Sequence, residues 1–355
     1  MGDLQIDTVL VTGATGFLGR HAATALRDAG HEVVALVRRP DEAATHLPGI
    51  RCVAGDLEHS ESLRVALKDV GSVVHAAGFV SNSRHESERS FAVNAVGAWN
   101  LLEAAGAAGV GRIVFTSSTS AVGALRDDLP ERALREDARF ELRDLAVPYV
   151  QAKRAAHEAA LEAGNAGLPV VVLSPTFVLG PGDWRLTSSE LVDAFVRKQL
   201  PGYIAGGINP VDVRDLAQAY VAALEHPDPA PHYILAGPEN LTTHALFKRL
   251  ERLSDIRAPR IRIPRWAALG AGLAGERLVR GAALSSATVR LGSLYWYFDA
   301  SLARRDLGFA PRPLDETLQS SLDWVTQLRR DPAGLRGPAG SSRNHAAAGL
   351  ERSSR

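Results

Sequence analysis

One cysteine, one methionine and four lysines are all that this chain of 355 residues holds of those three types. A single cysteine excludes an intrachain disulfide, and the setting of Cys52 in I-R-C-V-A reads as a small core residue on a buried strand rather than a nucleophile. Excess charge is missing too. Forty acidic residues balance 40 basic ones, which leaves no global field to gather nucleic acid or anionic membrane. Long apolar runs are absent: T-V-L-V-T leads straight into a glycine turn, too short for a signal peptide, and the stretch from Trp266 to Gly275 is cut off by Glu276 and Arg277 before it could span a bilayer. A cytoplasmic enzyme is the expectation. Its 46% hydrophobic content suffices for one large α/β domain and a smaller lobe.

What is present alternates. Short apolar runs at Thr8–Thr12, Val33–Val37, Arg51–Ala54, Ser72–Ala76, Arg112–Thr116 and Pro169–Leu173 read as strands buried on both faces. Helical patterns separate them at Phe17–Ala29, Ser60–Lys68, Ser87–Ala108 and Tyr149–Ala163. Crossover helices between such strands force a doubly wound parallel sheet, so residues 1–175 are expected to form a Rossmann-type domain. Residues 176–330 are expected to form a smaller, mostly helical substrate lobe interleaved with the first, with helices at Ser188–Gln199, Val213–Glu225, Thr242–Leu253, Arg265–Leu284 and Leu314–Arg329. From 331 to 355 the Gly, Ala, Ser and Arg composition predicts a disordered tail.

The first strand ends in T-G-A-T-G-F-L-G. Gly13, Gly16 and Gly19 permit a tight turn, close approach of a pyrophosphate and close helix packing, while Thr15, Phe17 and Leu18 complete the turn and open the helix whose amides and dipole face the phosphates. The second strand ends in Val37, Arg38 and Arg39, where NAD-selective sites place an acid. Arg38 is suited to a 2′-phosphate, which favours NADP(H) over NAD(H), although both arginines also fit a solvated loop. Asp56, followed by Leu57, stands after the third strand and either meets an adenine amino group or caps the next helix. Ala76, Ala77 and Gly78 end the fourth strand with little bulk, so a ribose can approach. His75 before them reads as a packed, hydrogen-bonded core residue.

Chemistry is concentrated in Y-V-Q-A-K, about 130 residues after the glycine turn. Residues four apart share a helix face, which sets the Lys153 ammonium where it is expected to lower the Tyr149 phenol from its usual value of about 10 and to hold a nicotinamide ribose. The phenol can then exchange a proton with a carbonyl oxygen. Pro148 suits the first turn of that helix. Of the hydroxyls in T-S-S-T-S, Ser118 is the expected donor to the substrate oxygen, with Ser117 and Thr119 pointing the other way.

These motifs, with H-A-A-G and S-P-T-F-V-L-G-P-G-D, resemble the extended short-chain dehydrogenases/reductases (the NAD-dependent epimerase/dehydratase superfamily) over about residues 6 to 330, in the branch of dihydroflavonol 4-reductases, 3β-hydroxysteroid dehydrogenases and hopanoid-associated epimerase-like proteins. The resemblance implies Tyr149 as acid/base, Lys153 as its partner, Ser118 as hydroxyl donor, and Pro175, Thr176 and Val178 beside the nicotinamide carboxamide. It also implies a homodimer built on the helices at Ser87–Ala108 and Tyr149–Ala163. Asp212 and Asp215, in the V-x-V-x-D segment, have spacing suited to starting a helix. Sugar-nucleotide members carry an arginine before that segment; I-A-G-G-I-N-P here does not, although Arg185, Arg197 and Arg214 remain available. Ketone or aldehyde reduction is the first expectation, a nucleotide-sugar epimerase or dehydratase the second, a non-catalytic NADP(H) sensor the third. The aromatic run from Tyr295 to Phe298 either walls an apolar pocket or buries one lobe on the other, and the Trp266 helix raises peripheral membrane contact.

Overall fold

The computed structural model describes residues 8–81, 86–278 and 285–331. The tail beyond Asp331, and the end of the helix expected to reach Leu284, lie outside the described residues. Strands β1 (Thr8–Thr12), β2 (Glu32–Val37), β3 (Arg51–Ala54), β4 (Ser72–His75), β5 (Arg112–Thr116) and β6 (Val170–Pro175) arise at the six apolar runs. The short strands β7 (Phe177–Leu179), β8 (Gly207–Ile208) and β9 (Pro210–Asp212), then β10 (His232–Leu235) and β11 (Leu241–Thr242), follow. Seven of them form one parallel sheet in the order β10-β6-β5-β4-β1-β2-β3. The order reverses between β1 and β4, and the cleft beyond their carboxyl ends is where such sheets bind ligands.

Helices α1 (Phe17–Asp28), α2 (Pro40–Ala44), α3 (Ser60–Ala66), α4 (Ser87–Phe91), α5 (Gly97–Ala108) and α6 (Pro148–Asn165) belong to the first half. The second half adds α7 (Glu190–Val196), α8 (Val213–Glu225), α9 (Thr243–Leu253), α10 (Arg265–Leu278), α11 (Ser286–Gly292), α12 (Ser301–Asp306) and α13 (Leu314–Arg330). One core layer joins α1 and α8 to a face of the sheet through Leu26, Val11, Val114, Leu216 and Tyr220. The other joins α3, α5 and α6 through Leu63, Leu101, Ile113, Phe115 and Ala156. A third cluster, with Phe195, Phe247, Leu250 and Leu318, closes the lobe of α7, α9 and α13.

Three differences from the sequence reading have local causes. Strand β3 lies at the sheet edge, so Cys52 is half-buried; burial pushes its thiol up, against a nucleophilic role. The helix expected over Ser87–Ala108 is broken by a π-helical turn at Ala92–Val96. That wider turn carries buried Asn94, whose amide accepts from Phe79 N at 2.9 Å and donates to Phe79 O at 2.7 Å. Finally, Asp212 caps α8 as expected, accepting from Arg214 N at 2.9 Å, whereas Asp215 instead grips Arg312 in a fork at 2.7 and 3.0 Å.

Three buried histidines sit against the strands in hydroxyl pairs. His75 Nδ1 pairs with Thr12 Oγ1, His157 Nδ1 with Ser117 Oγ and His232 Nε2 with Ser174 Oγ, each at 2.8 Å; the His157 and His232 rings meet edge-on at 4.9 Å. Burial lowers His75 and His157 to about 3 and His232 to about 4. The unfolded chain therefore takes up protons below pH of about 6.5 while the folded chain does not. Stability falls as pH drops from there toward 4, by up to about 1.4 kcal/mol per pH unit for each histidine. Urea midpoints across that range should fall less steeply for His157→Asn, which retains an acceptor for Ser117; equal slopes would count against neutral burial.

Candidate active site

The turn between β1 and α1 abuts the end of β4. Gly13 has φ +72°, and a Cβ there would lie 2.5 Å from Ala77 N; one on Gly19 would lie 2.2 Å from Gly13 O. Gly16 is the N-cap of α1, with no side chain bonded to the first-turn amides and no acid among Phe17, Leu18 and Gly19. Open amides beside the Ala76–Ala77 backbone form an anion cradle, and these residues fit the pyrophosphate of an NAD(P) dinucleotide. Thr15 is half-buried within the turn, and Gly78 lies exposed past Ala77.

The other candidate cofactor residues lie at or just beyond the ends of β2, β3 and β6. Arg38 is exposed at the end of β2 with no hydrogen bond or ion pair among the described residues, whereas Arg39 is held by Glu42 at 2.8 Å. Asp56 does not cap α3, whose N-cap is His59; its carboxylate turns back to accept from Glu58 N at 3.1 Å. Leu57 is buried, its carbonyl accepting from Asn100 Nδ2 at 2.8 Å. Pro175 O accepts from Thr119 Oγ1 at 3.3 Å, Thr176 Oγ1 donates to Asn209 Oδ1 at 2.9 Å, and Val178 lies half-buried in β7, paired with Val211. Asn209 and Asn94, which hold these loops, carry no periodicity or motif that marks them in the sequence.

Ser118, Tyr149 and Lys153 come together at the end of β5. Side chains alternate across a strand, so buried Thr116 faces α8, buried Ser117 faces α6, and half-exposed Ser118 opens the turn beyond. Ser120 donates both its N–H, at 3.2 Å, and its hydroxyl, at 2.9 Å, to Ser118 Oγ. The Ser118 proton is thereby left to be given outward, into the space beside Tyr149. Burial raises the phenol pKa, and the Ser118 hydrogen bond opposes the rise. This corrects the expectation of an ammonium-acidified phenol: Lys153 Nζ donates instead to Thr116 O at 3.0 Å. Burial brings Lys153 down to about 8.

The surroundings of the phenol are apolar. Tyr149 packs on a cluster of Leu142, Leu145, Val147, Leu294, Leu291 and Trp296. Tyr297 and Phe298 are buried, while Trp296 and Tyr295 are half-buried, so at least half of the aromatic run serves packing. Arg154 secures α6, donating to Ala121 O at 2.9 Å with its guanidinium 4.7 Å from the Phe140 ring.

A seven-stranded doubly wound sheet with a glycine cradle at its switch point and this Ser-Tyr-Lys grouping defines a Rossmann protein of the extended short-chain type. Residues 9–237 match the NAD-dependent epimerase/dehydratase family. The chain is 31% identical over 330 residues to a provisional dihydroflavonol 4-reductase of a Synechocystis strain, covering 90% of this chain and 94% of that protein. It is 30% identical to a 3β-hydroxysteroid dehydrogenase/Δ5→4-isomerase of Mycobacterium tuberculosis, covering 93% and 96%. The structure of MoeE5 in complex with UDP-glucose and NAD superposes with TM-score 0.69 and 26% identity, over 90% of this chain and 99% of that one. The chain belongs to the NAD-dependent epimerase/dehydratase family and is an NAD(P)-dependent oxidoreductase.

Gly19→Ala should push α1 off the turn, costing about 1–3 kcal/mol of stability and at least about tenfold in dinucleotide affinity. Thermal melting and NADPH fluorescence titration read the two effects. Unchanged affinity would argue against the cradle.

Proposed function

We propose that this protein moves hydride between NADP(H) and an apolar ketone or aldehyde, or the matching secondary alcohol. The observation that carries this reading is the setting of Tyr149: its phenol stands beside Ser118, and apart from Lys153 the side chains packed with it are aliphatic and aromatic. Two of the three arginines that could grip a sugar-nucleotide diphosphate have other partners. Arg214 forks onto Asp212 at 2.7 and 2.8 Å and donates to Ser320 at 3.0 Å, while Arg197 lies 4.0 Å from Asp193. The relatives named for dihydroflavonols and 3β-hydroxysteroids suggest a fused-ring or similarly bulky apolar substrate.

The dinucleotide, when bound, supplies or accepts the hydride. In reduction, the proton on the Tyr149 oxygen passes to the carbonyl oxygen, so hydride and proton together make the alcohol. Ser118 donates a hydrogen bond to that same oxygen as charge builds on it. Lys153, charged below about pH 8 and fixed by Thr116 O, offers its remaining protons to the ribose side of the cleft. The raised phenol pKa keeps Tyr149 protonated at neutral pH, which suits reduction.

For cofactor choice, the unengaged Arg38 at the end of β2 favours the 2′-phosphate of NADP(H). A homodimer draws support from Phe91 and Trp99, exposed on α4 and α5 with ring centroids 6.0 Å apart. The epimerase reading rests on the likeness to MoeE5, and a UDP-sugar control separates it from reduction.

In an NADPH-oxidation screen against ketosteroids, dihydroflavonols and aryl ketones, Tyr149→Phe should lose about a hundred- to ten-thousand-fold in turnover while keeping NADPH affinity. An undiminished rate would remove Tyr149 from the chemistry. On the best substrate found, kcat/KM should be higher with NADPH than with NADH, and Arg38→Ala should narrow the gap by at least about tenfold. A preference for NADH would overturn the assignment of Arg38.

A further inference from the structure

Helix α10 is amphipathic in the wrong sense for a helix in water. Ala268, Gly272 and Gly275 sit on one side, where Ala268 and Gly272 are buried; a Cβ on Gly272 would lie 2.9 Å from Ser286 N at the start of α11. Trp266, Gly270 and Leu273, on the opposite side, are exposed, as are Ala271 and Ala274, so two large apolar side chains face solvent while Ala268 and Gly272 meet the protein. Trp266 is 78% exposed and Leu273 43%, and Ile261, in the segment leading into the helix, is 67% exposed. These three are among the most exposed large apolar side chains described, and they occur within thirteen residues. Exposed apolar groups concentrated in this way mark a contact surface.

Along the chain from Ile256 to Gly275 the charged residues are all basic. Arg257, Arg260, Arg262 and Arg265 are all exposed and have no ion pair among the described residues, and no acid occurs from Ile256 to Gly275. Glu251, the acid that acts on Arg260, is held by Lys248 at 2.6 Å. The chain as a whole is neutral, so this cationic segment is local. Arginines flanking a tryptophan and long aliphatic side chains match an anionic lipid headgroup layer over acyl chains: the cations stay with the phosphates while the ring and aliphatic groups enter the boundary. No helix among the described residues is long and apolar enough to cross a membrane, so contact would be peripheral.

We propose that the face formed by Ile261, Trp266, Leu273 and the four arginines docks the protein on an anionic lipid surface. Its link to the reaction rests on the apolar substrate proposed above. Helix α10 packs on α11, and α11 contributes Ala287 and Leu291 to the cluster around Tyr149, so a docked molecule holds the substrate wall one helix away from the bilayer. A substrate dissolved in the bilayer would then reach the cleft without crossing water.

Vesicle flotation of the full chain tests docking apart from catalysis. Vesicles of phosphatidylcholine with an equal share of phosphatidylglycerol should bind the protein at low salt, and high salt or phosphatidylcholine alone should release it. The triple variant Arg260→Glu, Arg262→Glu, Arg265→Glu should lose about a hundredfold in partitioning, from about fivefold for each lost arginine. Trp266→Ser should also weaken binding, and both variants should keep wild-type NADPH affinity, which shows that they fold. Wild-type protein that stays in the soluble fraction with anionic vesicles at low salt would overturn the proposal, as would variants that float like wild type. If Trp266→Ser converts a dimer to a monomer and no vesicle binding is seen, the face belongs to a second copy and the lipid assignment fails.

Discussion

Thr116 fixes the two helical layers and the active-site turn to one residue. It ends β5, and its carbonyl takes the Lys153 ammonium from α6 at 3.0 Å while its hydroxyl takes the Tyr220 phenol from α8 at 2.7 Å. Those helices lie on opposite faces of the sheet, so the residue ties them together through the sheet itself. Buried donors left without an acceptor cost about 1–3 kcal/mol, more when charged, so neither helix can slide along β5 without exposing a cost of that size. Two residues further on, Ser118 inherits a fixed position.

Among Ser118, Tyr149 and Lys153, only the lysine carries charge near neutral pH. His75, close enough for Lys153 to disfavour its protonation, stays uncharged, and the Tyr149 phenol stays protonated because burial outweighs the Ser118 bond. Low dielectric strengthens the few polar contacts that remain, so the direction of one serine proton matters more here than it would in water. The expectation of an acidified phenol took helical spacing as sufficient. Four residues of separation put Lys153 on the right face, but a four-carbon stem lets its ammonium choose a backbone carbonyl over the phenol.

Most of the sheet was legible because strands buried on both faces must be continuous apolar runs, and the glycine turn was legible because its steric demands admit no other residue at Gly13 and Gly19. Alternation along β5 separated Ser118 from Ser117. Strand β10 escaped notice: it is four residues long, opens with a histidine and follows a proline-rich connection, and its burial comes from pairing with β6. Its edge is covered by Glu136, which accepts from Ile234 N at 2.8 Å, a contact 98 residues apart in sequence. The Asp215–Arg312 fork and the role of Asn94 were hidden for the same reason, since each depends on what the folded chain brings near.

Substrate choice is therefore separable from the chemistry. The residues proposed to handle the proton come from the turn after β5 and from α6, whereas the wall packed with Tyr149 comes from α11 and the Leu294–Trp296 segment. That wall is held by backbone pairing: Leu125 and Tyr295 exchange two bonds of 2.9 Å, and Gly207 N donates to Leu294 O at 3.0 Å. Main-chain bonds place no demand on side-chain identity, so the wall can change composition while its distance to Tyr149 stays set. A common catalytic frame can thus carry walls of different chemistry in different relatives, and in this chain the wall beside Tyr149 is built of Leu291, Leu294 and Trp296.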